Sequence, residues 1–155
     1  MGIIRSKANS LVKETRKLQQ KKHRKKSYLI EGWHLLEEAQ KAGATIERIF
    51  LAESQQDRLP VTPNLVLVSD EVLASLAESQ TPQGVVAQLA LPVQDLQLKP
   101  KGKYLVLEDV QDPGNVGTMI RTADAAGYDA VFLTDKSADL YSMKVLRSMQ
   151  GSHFH

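Results

Sequence analysis

The residues best suited to chemistry run from Leu107 to Leu133, LEDVQDPGNVGTMIRTADAAGYDAVFL. The turn Asp112-Pro113-Gly114-Asn115-Val116-Gly117 is expected between the C-terminal end of a parallel strand and the N-terminal end of a helix. Open α/β sheets bind ligands there, and helix N-termini attract anions. Gly114 and Gly117 permit close backbone approach, and Asn115 is placed to cap the helix, a role that by itself requires no function. Arg121 is expected about one turn into that helix, where the macrodipole disfavours a cation by roughly 0.3–1 kcal/mol, so it calls for an anionic partner. Two partners stay open. One is Asp124 at i+3, in a surface pair worth roughly 0.2–0.5 kcal/mol. The other is a phosphate or a developing oxyanion beside the glycine-bearing turn.

A second chemical feature is a block of charge. Residues 1–26 carry ten Lys or Arg against the single acid Glu14, a net +9 that leaves the other residues at −7 although the whole chain is only +2. Lys21, Lys22, Arg24, Lys25 and Lys26 close this block. Such a density attracts polyphosphate, since each neutralised phosphate also releases counterions, but a solvated helix face or a basic tail accounts for it equally well. Other constellations are weaker. His153 and His155 lack the further ligands a zinc site needs and read as strand residues, so no metal is expected. Glu108, Asp109 and Asp112 read as strand-end carboxylates that cap the next turn. Trp33, Tyr28 and Phe50 lie in apolar runs and read as core.

These groups need positioning elements. A helix capped by Asn9 or Ser10 is expected to run to about Lys26, its apolar stripe fading after Leu18 so that QQKKHRKK projects as a basic prong. Strands follow at 28–32, 46–53, 64–69 and 84–92, with helices at 33–43, closed by Gly43, and from Ser69 or Asp70 to about Glu78. This is a compact α/β unit. PVQDLQLKPKGK resembles a linker in composition, and beyond it YLVLED, the helix 117–127 and AVFLT have the length of one βαβ crossover. A last helix spans about 138–150. The resulting division is 1–95, a linker at 96–103, and 104–155. Two strands and two helices cannot cover both faces of a parallel sheet as apolar as YLVL and AVFL, so 104–155 reads as part of a larger domain.

With 155 residues, 42% hydrophobic and 25% charged, the composition is that of a globular protein, and no segment has the roughly 18 consecutive apolar residues of a membrane helix. The absence of cysteine excludes disulfides, thiolate metal ligation and cysteine catalysis, and fits a reducing, cytoplasmic compartment.

DPGNVGTMIRTADAAG, after an apolar strand ending in Glu-Asp, resembles the first signature motif of the SpoU (TrmH-like) branch of the SPOUT RNA ribose 2′-O-methyltransferases, whose catalytic domain is a trefoil-knotted α/β fold. R-x-x-x-Y-x-x-E-G from Arg24 to Gly32, TPQGVVA from Thr81 to Ala87 and KVLRSMQGSHFH are similar to the family's small substrate-binding domain and to the segment leading into its knot. The resemblance implies an α/β RNA-binding domain followed by the first βαβ part of the methyltransferase domain. It implies Asn115 and Arg121 in the active site, RNA contact through Lys21, Lys22, Arg24, Lys25 and Lys26, structured RNA such as rRNA as partner, and a homodimer. The methyl donor would be S-adenosylmethionine, held by residues expected beyond His155, so this chain alone is expected to be inactive. A non-catalytic RNA-binding module is the alternative. A pyrophosphate-binding α/β protein is disfavoured because Gly114-x-x-Gly117 lacks a third glycine.

Overall fold

The computed structural model describes residues 2–94 and 97–155; the boundary expected at 95/96 lies outside the described residues. The first sheet is formed by β1 (Ser27–Glu31), β2 (Ile46–Ala52), β3 (Leu65–Val68) and β4 (Val85–Ala90), in the order β1-β4-β2-β3. Its β1–β4 and β4–β2 pairs are antiparallel and its β2–β3 pair is parallel. A single parallel bridge, Ile4 to Val68, extends it at the β3 edge.

Helices cover both faces because the strands are apolar on both sides. α1 (Ser10–Arg16) and α3 (Asp70–Leu76) place Val12, Val72, Leu73 and Leu76 against Leu29, Phe50, Val68 and Val86. Their caps are local and legible: Asn9 Oδ1 accepts from the N–H groups of Leu11 and Val12, and Ser69 Oγ from that of Val72. α2 (Trp33–Lys41) covers the other face with Leu35, Leu36 and Ala39. Its entry explains two sequence motifs at once. Gly32 sits at φ 97°, and the Gln83 side-chain oxygen accepts from the Trp33 N–H at 3.0 Å while the Trp33 indole donates to the Gln83 carbonyl at 3.1 Å. The Glu-Gly and Thr-Pro-Gln-Gly elements are therefore two halves of one junction.

The second sheet pairs β5 (Tyr104–Leu107) and β6 (Ala130–Leu133) in parallel, joined through α4 (Pro113–Ala125). α5 (Met143–Met149) follows, capped by Ser142. α5 belongs to the later half of the chain, yet Val145, Leu146 and Met149 pack into the cluster containing Tyr28, Ile30 and Leu89 of the first sheet. All five residues of β1 are buried as a result.

Several expectations do not hold. The first helix ends at Arg16 and is followed by two 3-10 turns, Lys17–Gln19 and Lys21–His23, because nothing apolar beyond Leu18 gives the helix a face to bury. The basic segment is thus a folded-back loop, with no helical prong. α4 begins at Pro113, four residues earlier than expected, because proline is pre-set for the first helical position and Asp112 caps it. α5 begins at Met143 and not near Ala138. His153 lies in a 3-10 turn, Ser152–Phe154, and not in a strand. Trp33 is half-exposed rather than core, with the Arg58 guanidinium 3.9 Å above its ring.

Candidate functional site

The proposed catalytic pair stands on α4. Asp112 Oδ1 accepts from the Asn115 N–H at 2.9 Å, so the cap is Asp112 and the Asn115 side chain is left exposed. Arg121 is also exposed. The two are six residues apart on one helix, which is about 9 Å of rise and about 120° of rotation. The structure therefore does not bring them into contact, although both face outward on either side of Thr118.

The argument that placed an anion beside Arg121 also changes. Arg121 lies more than two turns into α4, beyond the first turn where the macrodipole acts, so no dipole penalty applies. Its intrahelical partner is engaged elsewhere as well. Asp124 Oδ2 is bound by His155 Nδ1 at 2.7 Å, and Arg121 makes no ion pair among the described residues. The second glycine of the turn has a packing role: a Cβ on Gly117 would lie 2.2 Å from Ser148 Cβ and 2.9 Å from the Val145 carbonyl oxygen. Gly117 is what lets α5 lie directly against α4. Gly114 has only Asp112 Oδ1 nearby, at 3.1 Å.

Of the basic segment, Lys21, Lys22, Lys25 and Lys26 are exposed. Arg24 departs from the expectation that grouped it with them. Its side chain is only 5% exposed, its Nε and Nη2 both donate to Asp139 Oδ2, and its Nη1 donates to the Leu18 carbonyl at 2.9 Å. A second pair, with its carboxylate buried and its guanidinium a third exposed, bridges the same two parts of the chain. Arg147 Nη1 lies 2.6 Å from Glu31 Oε1, and Glu31, 6% exposed, also accepts from the Ser79 N–H and hydroxyl. Neither bridge was foreseen, because partners 115 and 116 residues apart leave no mark in local spacing.

Among the described residues the seven arginines sort cleanly. Arg5 is paired with Glu53, Arg16 donates to the Lys7 carbonyl, Arg24 and Arg147 form the bridges, and Arg58 stacks on Trp33. Arg48 and Arg121 alone among these have no carboxylate, carbonyl or aromatic partner. Arg48 escaped sequence reasoning, although a cation at i−2 from the buried Phe50 on an alternating strand was a readable signal.

The H-x-H pair at 153 and 155 is divided between two environments. Burial holds the His153 imidazole down at about 4, with the neighbouring His155 adding to the effect, while the Tyr28 hydroxyl stands 3.3 Å from its Nε2. Among the described residues no group of three or more His, Cys, Asp or Glu is placed to hold a metal, and no helix is long and apolar enough to cross a membrane.

Comparison with known proteins agrees with this layout. Residues 9–87 match the MRM3-like substrate binding domain, and residues 102–155 match the SpoU rRNA Methylase family. Over its whole length the chain is 43% identical to the 23S rRNA (guanosine(2553)-2′-O)-methyltransferase RlmP of Bacillus subtilis, spanning 63% of that protein. Over 81% of its length it is 33% identical to the human mitochondrial rRNA methyltransferase 3, spanning 33% of that protein. The crystal structure of an rRNA methyltransferase from Sinorhizobium meliloti superposes on 99% of the chain with a TM-score of 0.82 at 31% identity, the match covering 62% of that structure. The chain thus spans less than two thirds of the length of these relatives.

Proposed function

We propose, from the premise that this chain belongs to the SpoU rRNA methylase family and carries an MRM3-like substrate-binding domain ahead of its methylase segment, that the protein methylates a ribose 2′-hydroxyl of ribosomal RNA with S-adenosylmethionine as donor. Residues 1–95 grip structured RNA, 96–103 connect, and 104–155 open the catalytic domain. The protein acts as a homodimer in the cytoplasm. The observation that carries the catalytic part of the reading is an exposed Arg121 with no internal partner among the described residues.

A ribose 2′-hydroxyl is a poor nucleophile that loses its proton as it attacks. A guanidinium, with a pKa above about 12, is a poor base but a strong bidentate donor. Arg121 therefore holds the adjacent phosphate and stabilises negative charge developing on the 2′-oxygen, while Asn115 orients the ribose. At the C-terminal ends of β5 and β6, Asp109, Thr134 and Ser137 are hydrogen-bonded to one another and to the Leu107 carbonyl.

The test is tritium transfer from labelled donor to a 23S rRNA transcript by the protein at the length of its relatives. Arg121→Ala is expected to lower turnover by about 10²–10³-fold while RNA affinity stays within about twofold. Unchanged turnover would remove Arg121 from the chemistry.

A further inference from the structure

We propose that Arg48 and the lysines of the basic loop form a phosphate-binding groove on the outer face of the first sheet, which receives the RNA backbone away from the reacting ribose. The proposal rests on the RNA reading above and adds a site to it.

A groove of about 370 Å³ opens where the α1 face of the sheet runs out of apolar cover. It is lined by Leu11, Thr15 and Leu18 from the first helix and the turn after it, by His23, Lys25 and Lys26 of the basic segment, and by Arg48 and Gln88 of the sheet. The cations come from two separate places in the chain. Lys25 and Lys26 end the basic segment, whereas Arg48 is on a strand in the part of the chain that is net negative.

Three observations single out Arg48. It is half-buried on the strand face that carries Phe50, where a cation without a counter-charge is costly. Among the described residues it has no partner, unlike Arg5, Arg16, Arg24, Arg58 and Arg147. The pairing of β2 with β4 shifts register between Ile46 and Arg48, an irregularity of the kind that re-aims a side chain at a binding site.

One carboxylate, Glu14, lines the groove, a second, Glu47, is bonded to its lining residues Ser27 and Gln88, and neither pairs with Arg48. Glu14 is held by Lys17 at 2.9 Å, and Glu47 Oε1 accepts from the Ser27 hydroxyl and from Gln88 Nε2. The forked guanidinium matches a phosphodiester through two oxygens, and Lys25 and Lys26 supply further charge. Arg24, anchored to Asp139 and to the Leu18 carbonyl, fixes the loop that presents them.

The probe is a fluorescein-labelled 20-nucleotide RNA hairpin titrated with the protein between about 50 and 200 mM KCl. Arg48→Gln is expected to weaken binding roughly 5–10-fold near 100 mM salt and to reduce the slope of log K against log salt by about one, with Lys26→Gln acting in the same direction. Arg48→Lys should keep most of the slope. Arg5→Gln, which removes a cation paired with Glu53, should leave it unchanged. Thermal melts of each variant report whether the sheet is intact. If Lys21→Gln/Lys22→Gln lowers the slope while folded Arg48→Gln and Lys26→Gln match the wild type, the groove is overturned and the RNA reading survives. A wild-type protein that does not bind the hairpin at all overturns both.

Discussion

The two sheets are built from equally apolar strands and end in opposite circumstances. The first is enclosed on both faces, with every residue of β1 buried. The second packs one face, with Leu105, Leu107, Val131 and Leu133, into the core shared with α4 and α5, and leaves Val106 63% and Phe132 37% exposed on the other. α5 is the reason for the difference. Its apolar stripe joins the core beneath β1 and Val116 and Ile120 of α4 in one cluster, so it completes the earlier half while the far face of its own sheet stays open. Closure therefore does not follow the order of the chain. An uncovered parallel sheet calls for further cover, consistent with a chain that spans less than two thirds of its relatives.

This contrast can be broken most severely at the bridges that hold the halves together. Arg147→Met strands Glu31 in a buried position with only Ser79 as partner, and should destabilise the chain by about 3–5 kcal/mol in urea unfolding. Adding Glu31→Gln should recover part of that loss, since the uncompensated charge is the main cost. A destabilisation below about 1 kcal/mol for the single variant would show that apolar packing alone joins the halves.

The α4–α5 contact comes next. Gly117→Ala must displace Ser148 and the Val145 backbone, and should cost about 1–3 kcal/mol even though alanine is the better helix former. Gly114→Ala meets only an Asp112 oxygen and should stay within about 0.5 kcal/mol of the wild type. Equal effects in thermal melts would separate Gly117 from helix packing. The smallest change is expected on the open sheet, where Val106→Thr should shift stability by less than about 0.5 kcal/mol. A larger loss would mean that this face is covered in solution.

Local signals were largely sufficient for the elements. The alternation of IERIFLA, the Asn9 and Ser69 caps and the Gly43 stop each act within a few residues, and β2, the start of α1, α3 and the end of α2 form where expected. The two helix boundaries that differ have separate causes. The charged run after Leu18 has no face to bury and does not continue the first helix, and α4 starts earlier than its apolar pattern because an Asp-Pro-Gly sequence serves a turn and a first helical turn equally well. Motif spacing points to Asn115 and Arg121 as candidates, but it gives no sign that Arg48 is unpaired and puts Arg24 among the free cations, since a charge is spoken for only once its distant partner is known.

Composition and local pattern by themselves determined an α/β chain with a basic first segment, a helix after the strand that ends in Glu108-Asp109, and two apolar strands in need of cover. Those outcomes depend on side-chain periodicity and backbone preference over a few residues. The tertiary structure alone decided which arginines are free, that Gly117 serves helix packing, and that α5 covers the first sheet. Each of these is an encounter between residues far apart in sequence, and an ion pair or a close helix contact exists only when folding brings both members together.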